Sequence, residues 1–188
     1  MLEQALIAHG APTLARLKTG NLFNLACPNP ERLAAEMLAL APTLRAKGVE
    51  LTVLRAKDGR YLLYLYRPQA LQAALDDPET ARFLSEYDYP ARCPVQEALR
   101  RLRGRLADSE DFPHEIGVFL GYPLTDIRGF ICNQGRNCLC CGCWKVYSEP
   151  ERAMKLFARY QKCTEAYARL FAAGFPLSRL TVRAHPAT

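Results

Sequence analysis

The chain has 188 residues and a formal net charge of +6, with 49% hydrophobic and 23% charged residues. This length suits one domain with a hydrophobic core, and the composition excludes disordered, collagen-like and coiled-coil proteins. No apolar run is long enough to cross a membrane, so no membrane partner is expected. We expect a single globular domain over residues 1–188, with about the last dozen residues forming a loose tail.

The positive charge is uneven along the chain. Residues 1–94 carry 11 basic and 10 acidic side chains, a net of +1, whereas residues 95–188 carry 14 basic and 9 acidic, a net of +5. Four arginines on one face of a predicted helix could bind phosphate groups: Arg100, Arg101, Arg103 and Arg105. A solvated helix face explains them better. Nucleic acid is therefore disfavoured, and a basic module that binds nucleic acid or an acidic protein stays an alternative.

The first predicted element is a short helix within residues 1–10, which Gly10 and Pro12 would end because both residue types disfavour helix interiors. The apolar stretch 14–26 that follows is ambiguous. Residues 22–25 within it could form a short strand.

A second helix is predicted to begin at Pro30. Asn29 can cap it, and proline suits the first helical position. This helix would end at Gly48, and Pro42 would kink or divide it.

A β-hairpin is predicted over residues 49–66. Asp58-Gly59 is a two-residue turn signal between two runs that are rich in β-branched and aromatic residues. The second run, residues 61–66, is apolar on both faces, which predicts a central strand.

Helices dominate the rest of the chain. Starts are predicted at Pro68, Pro78, Cys93–Pro94, Thr125 or Asp126, and Ser148–Glu151, with a strand-like segment at residues 144–147. The order of elements does not alternate regularly, so the predicted class is α+β. We expect a mostly helical single domain with a small, largely antiparallel sheet of three or four strands built on the 49–66 hairpin.

Five of the eight cysteines lie within twelve residues: Cys132, Cys138, Cys140, Cys141 and Cys143. The last four form two overlapping C-x-x-C spacings, which could hold zinc or an iron–sulfur cluster. Free thiols or a redox pair, with a redox protein as partner, are the alternatives, because nearby cations such as Arg136 and Lys145 favour thiolates.

The first residues include Glu3 and no basic stretch, so no secretory signal is expected and the predicted location is cytoplasmic.

An enzyme is a further alternative. His114 and Glu115 could act as acid–base partners, or Cys141 as a thiolate nucleophile. The zinc-protease pattern H-E-x-x-H fails because residue 118 is valine, and phosphate-binding, dinucleotide-binding and serine-hydrolase motifs are missing from the sequence.

The segment 112–147 contains the strings FPHEIGVFLGYPLTDIRGFI, NQGRN and, from Gly142 to Tyr147, G-x-W-K-V-Y. With residues 11–25 and the hairpin, these strings resemble a bacterial family, domain of unknown function 3793. The resemblance spans most of the chain and implies a stand-alone cytosolic protein, but it implies no activity. In that pattern a cysteine at Cys141 is usual and the other loop cysteines are less regular, which weakens the metal interpretation.

The polar residues of this motif exceed what a core requires, so we expect several of them to line one pocket. The predicted ligand-binding residues are His114, Glu115, Tyr122, Asp126, Asn137, Trp144, Lys145 and Tyr147. The favoured function is therefore binding of a small molecule, or metal binding or thiol redox chemistry, centred on residues 112–147 and the cysteine cluster.

Overall fold

The fold was analysed in a computed structural model that describes residues 1–108 and 112–183. Its helices are α1 (Leu2–Leu14), α2 (Pro30–Arg45), α3 (Pro68–Asp76), α4 (Pro78–Ser85), α5 (Val95–Asp108), α6 (Ile116–Phe119), α7 (Leu124–Cys132), α8 (Pro150–Ala172) and α9 (Leu177–Leu180). Its strands are β1 (Gly20–Ala26), β2 (Glu50–Lys57), β3 (Arg60–Tyr66), β4 (Cys140–Cys141) and β5 (Lys145–Val146). The predicted fold class, mostly helical α+β with a small antiparallel sheet, is confirmed.

The chain divides into two compact units. The first contains Met1–Leu71 and Cys163–Thr188, and the second contains Gln72–Lys162. None of the helices in the described ranges is both long enough and apolar enough to span a membrane.

A three-stranded antiparallel sheet organises the first unit, with strand order β1-β3-β2. The central position of β3 confirms the prediction from its two apolar faces. Asp58 and Gly59 form the two-residue turn between β2 and β3, with φ angles of 48° and 69°. Two positive φ angles are what a type I′ hairpin turn requires, and Asp-Gly provides them at low cost.

The core of the first unit lies on one face of this sheet. Leu63 and Leu65 of β3 join Leu6 of α1 in a buried cluster. Tyr167 and Phe171, from the second half of α8, pack against the same cluster. The second half of this helix therefore packs on the sheet.

The first helix differs from the prediction. It continues through Gly10 and Pro12 to Leu14. A Cβ atom at Gly10 would lie 2.5 Å from the side chain of Leu65, so glycine allows the helix to approach the sheet closely. Gly10, Ala11 and Pro12 are all buried, and this packing outweighs the low helix propensity of glycine and proline.

The second helix begins as predicted. The Asn29 side chain accepts a hydrogen bond from the Arg32 amide at 2.9 Å. The helix runs continuously through Pro42 to Arg45, so this proline does not divide it.

The predicted loose tail falls partly on residues 184–188, which lie outside the described residues. Within the described part, α9 buries Leu177 and Leu180.

The second unit contains α4 to α7, the short β4–β5 hairpin and the first half of α8. Helix α5 buries a stripe of apolar side chains: Val95, Ala98, Leu99, Leu102 and Leu106. The segment from α6 to β5, which carries the motif of residues 112–147, folds entirely within this unit.

Candidate ligand-binding site

A pocket of about 260 Å³ lies within the motif segment of the second unit. Its floor consists of buried side chains, among them Ile116, Ile127 and Trp144. Two further aromatic residues, Tyr122 and Phe130, complete the walls. The interior is therefore mainly apolar, as in most sites for small organic molecules.

The aromatic walls are held by ring contacts. Tyr122 stacks on Trp144 with ring centroids 4.7 Å apart, and the Phe157 ring meets Trp144 edge-on with centroids 4.6 Å apart. The Tyr122 hydroxyl donates to the Cys143 carbonyl at 3.0 Å, which fixes its ring. Burial, followed by the Cys143 and Tyr160 groups, raises the pKa of Tyr122 to about 12, so this phenol stays neutral at physiological pH.

Two polar side chains, His114 and Lys145, line the pocket and are exposed, so they lie at its mouth. The His114 ring contacts the Phe130 ring with centroids 5.0 Å apart, and the Lys145 ammonium is 5.9 Å from the centre of the same ring. Lys145 Nζ donates one hydrogen bond, to the Gly135 carbonyl at 2.7 Å. An ammonium has three donors, so two remain for a ligand.

Asp126 lies in the pocket wall, but its carboxylate is occupied. Oδ2 accepts from Trp144 Nε1 at 2.7 Å. Oδ1 accepts from the Tyr147 amide, the Ser148 amide and the Ser148 hydroxyl, each at 2.8 Å. This buried side chain thus ties α7 to the segment 144–148 and is better explained as a structural residue than as a ligand contact.

Glu115 lies away from the pocket. It is fully buried, pairs with Arg105 and accepts from the Tyr89 hydroxyl at 3.4 Å. Burial, followed by the Glu115 charge, raises the pKa of Tyr89. Because the neighbouring His114 is exposed at the pocket mouth, the two side chains do not share one site, and the predicted acid–base pair is not formed.

With this geometry established, we compared the chain with known proteins. A family model described as "Protein of unknown function (DUF3793)" matches residues 6–181. The chain belongs to the DUF3793 family. No curated protein and no solved structure matches it.

The DUF3793 match covers the whole motif segment, and packing accounts for two of the motif glycines. A Cβ atom at Gly129 would lie 2.5 Å from Tyr147, and one at Gly142 would lie 2.3 Å from the Phe157 ring. Close approach of these rings therefore requires glycine at both positions. The remaining predicted residues, Asn137 and Tyr147, do not line the pocket.

Tyr147 is instead associated with the cysteine loop of this DUF3793 protein. Its hydroxyl is buried and has no hydrogen-bond partner in the part of the chain that the structure describes. Burial, followed by the charges of Cys138 and Cys141, raises the pKa of Tyr147. The two thiols therefore lie near the same phenol, although all eight cysteines are free.

The four cysteines of the predicted metal site are not arranged as a ligand set. Among the described residues, no group of three or more His, Cys, Asp or Glu side chains is placed to hold a metal ion. Cys140 and Cys141 are consecutive residues of β4, and consecutive side chains of a strand point to opposite faces. Cys141 and Cys143 are exposed, whereas Cys138 and Cys140 are half-buried. A site with zinc or an iron–sulfur cluster thus receives no support from this geometry.

The arginine face of α5 is largely neutralised. Arg101 pairs with Asp88 at 2.6 Å, Arg100 pairs with Glu97, and Arg105 pairs with Glu115. Arg100, Arg101 and Arg105 therefore have carboxylate partners, which reduces their attraction for phosphate groups.

Three apolar side chains of the pocket were not predicted from the sequence: Ile116, Ile127 and Phe130. They are apolar, and apolar residues in a motif are ordinarily assigned to the core. Phe130 could have been found from its place between the motif glycines, since it contacts both His114 and Lys145.

Proposed function

We propose that this protein binds a small organic acid. The apolar body of the ligand would lie between Tyr122, Phe130 and Trp144, and its acid group would meet Lys145 and His114 at the mouth. The observation that carries this proposal is an aromatic pocket with an unneutralised ammonium group at its entrance. Lys145 has no carboxylate within ion-pair distance in the described part of the chain.

The size of the pocket restricts the ligand. Sites for drug-sized molecules are usually about 300–1,000 Å³, and this pocket, at about 260 Å³, is slightly smaller. A ligand with one aromatic ring, or an aliphatic body of similar volume, is therefore the best match. A ligand with polar groups along its body would leave polar atoms against Ile116 and Ile127 without hydrogen-bond partners, which is costly.

An acid group fits the mouth because Lys145 keeps two free N–H donors and a full positive charge. Hydrogen bonds between charged groups are shorter and stronger than neutral ones. His114 can add a further donor in either of its tautomers. The Asp126 carboxylate does not compete with the ligand for Lys145, since its oxygens already accept four hydrogen bonds from Trp144, Tyr147 and Ser148.

Other predicted functions receive less support. The separation of His114 from Glu115 disfavours acid–base catalysis by this pair, and the paired arginines of α5 disfavour nucleic acid. Thiol redox chemistry at the cysteine cluster, Cys138, Cys140, Cys141 and Cys143, stays a prediction of the sequence. As part of the proposal, we expect the protein to act in a bacterial cytoplasm, where its cysteines would stay reduced.

Trp144 is the only tryptophan of the chain and lines the pocket, so its fluorescence reports binding directly. We expect a saturable fluorescence change on titration with 4-phenylbutyrate, a non-fluorescent aryl acid. Lys145→Gln should weaken binding about tenfold or more, because it removes the charged hydrogen bond.

Lys155→Gln, which removes an exposed charge from α8 outside this pocket, is the matched control and should bind as the unaltered protein does. Circular dichroism would establish that both variants are folded. The proposal is wrong if the unaltered protein shows no saturable change, or if Lys145→Gln binds as tightly as Lys155→Gln.

A further inference from the structure

A second pocket, in the first unit, surrounds a buried arginine that no motif had indicated. The Arg67 side chain donates to four main-chain carbonyls and, among the described residues, to no carboxylate. Nε donates to Thr13 O and Nη2 to Leu14 O, each at 2.8 Å. Nη2 also donates to Val182 O at 2.8 Å, and Nη1 to Lys47 O at 3.3 Å.

Most N–H groups of Arg67 thus have hydrogen-bond acceptors, but no carboxylate among the described residues accepts from its charged guanidinium group. The residue is only 5% exposed, and burying a charge without an opposite charge is costly. Thr13 and Leu14 end α1, so their carbonyls carry the negative end of the helix dipole, which is equivalent to about half an elementary charge. A net positive charge therefore remains at this position.

Two more cations adjoin Arg67. A cavity of about 360 Å³ is lined by Arg16, Lys18 and Arg67, together with Leu17, Thr19, Gly48, Gln69 and Ala70. None of these lining residues is acidic. Burial, followed by the positive charge of Arg16, lowers the pKa of Arg67 to about 10, which agrees with the close approach of like charges.

The backbone at Arg16 holds an uncommon conformation. Its φ angle is 62°, in the left-handed region that non-glycine residues rarely adopt. A hydrogen bond from its amide to Thr13 O, at 3.2 Å, holds this turn. Together with a hydrogen bond from the Leu17 amide to Pro12 O, at 2.8 Å, it forms a Schellman motif, which ends many helices. The turn keeps Arg16 at the cavity, where its like charge opposes that of Arg67.

We propose that this cavity binds the phosphate group of a small phosphorylated molecule. Arg16 and Lys18 would donate charged hydrogen bonds to the phosphate oxygens, while Arg67 contributes positive charge from beneath. Thr19 and Gln69 add neutral hydrogen-bonding groups for the organic part. The cavity is larger than a phosphate ion alone needs, which favours a phosphate monoester of an aliphatic alcohol over inorganic phosphate. This proposal is independent of the organic-acid pocket, because all of its residues lie in the first unit.

The test is isothermal titration calorimetry at constant ionic strength with glycerol 3-phosphate and, separately, inorganic phosphate. We expect saturable binding of both, with the monoester bound more tightly. The double variant Arg16→Gln/Lys18→Gln should weaken binding at least about tenfold. Both residues have side chains at the surface or half-buried, so the fold should be retained.

The matched control is Arg55→Gln/Arg60→Gln, which removes the same charge from exposed positions of the β2–β3 hairpin in the same unit. It should retain the affinity of the unaltered protein. Equal losses of affinity in the two double variants would show a general charge effect and would contradict the proposed site. The absence of saturable binding to the unaltered protein would contradict it as well. The Trp144 fluorescence should stay unchanged during the titration. A fluorescence change that is lost in Lys145→Gln would assign the binding to the organic-acid pocket instead.

Discussion

His114 and Glu115 are neighbours in the chain, yet their side chains lie in opposite environments. His114 is exposed at the mouth of the organic-acid pocket, whereas Glu115 is fully buried beside Arg105 and Tyr89. A carboxylate buried in this way depends on its cationic partner, because an unpaired buried charge is strongly unfavourable. Glu115 therefore contributes to stability, and His114 is free to contact a ligand.

The burial of Glu115 predicts that its arginine partner matters more for stability than the partner of an exposed glutamate. Arg105→Gln should lower the free energy of unfolding by about 3 kcal/mol, because it leaves the Glu115 charge buried without a partner. Arg100→Gln on the same helix breaks only a surface pair with Glu97 and should cost less than about 1 kcal/mol. Urea unfolding followed by circular dichroism measures both. Equal effects of the two substitutions would contradict the structural role of Glu115.

At the scale of elements, the motif segment is held together by one carboxylate. Asp126 near the start of α7 accepts hydrogen bonds from Trp144, Tyr147 and Ser148, which lie in and beyond the β4–β5 hairpin. A hairpin with two-residue strands is not stable by itself. Asp126 thus positions Trp144, and through it the floor of the pocket.

Asp126→Ala should therefore destabilise the protein by about 3 kcal/mol or more, since several buried donors lose their acceptor. Hydrogen exchange of the Tyr147 and Ser148 amides should accelerate, and 4-phenylbutyrate should bind more weakly. Thr125→Ala, which removes an exposed hydrogen bond from the neighbouring residue to Ser148, is the control and should cost less than about 1 kcal/mol. Protection of both amides that survives in Asp126→Ala would refute this account of the segment.

Across the whole molecule, local sequence signals predicted where the helices and strands lie better than they predicted how these elements pack. The Asp58-Gly59 turn and the Asn29 cap act through adjacent residues, so both were predictable from the sequence. The continuation of α1 through Gly10 was not, because it depends on the distant side chain of Leu65.

Prediction of the candidate site from the sequence was limited in the same way. Of the eight predicted ligand-binding residues, the pocket contains His114, Tyr122, Asp126, Trp144 and Lys145. Sequence proximity could not show that Glu115 faces Arg105, that Tyr147 packs on Gly129, or that the Asp126 oxygens are already occupied. The cationic cavity around Arg67 was not predicted either, since Arg16, Lys18 and Arg67 come together only when β3 pairs with β1.

The central claim is that the Trp144 pocket requires both an apolar body and an acid group in its ligand. The most direct measurement is the Trp144 fluorescence titration repeated with three related compounds: 4-phenylbutyrate, the neutral 4-phenylbutanol and the short acid acetate. The account predicts that 4-phenylbutyrate binds at least about tenfold more tightly than either of the others, because only it uses both the aromatic walls and Lys145. Equal affinity for the acid and the alcohol, or tightest binding of acetate, would contradict it.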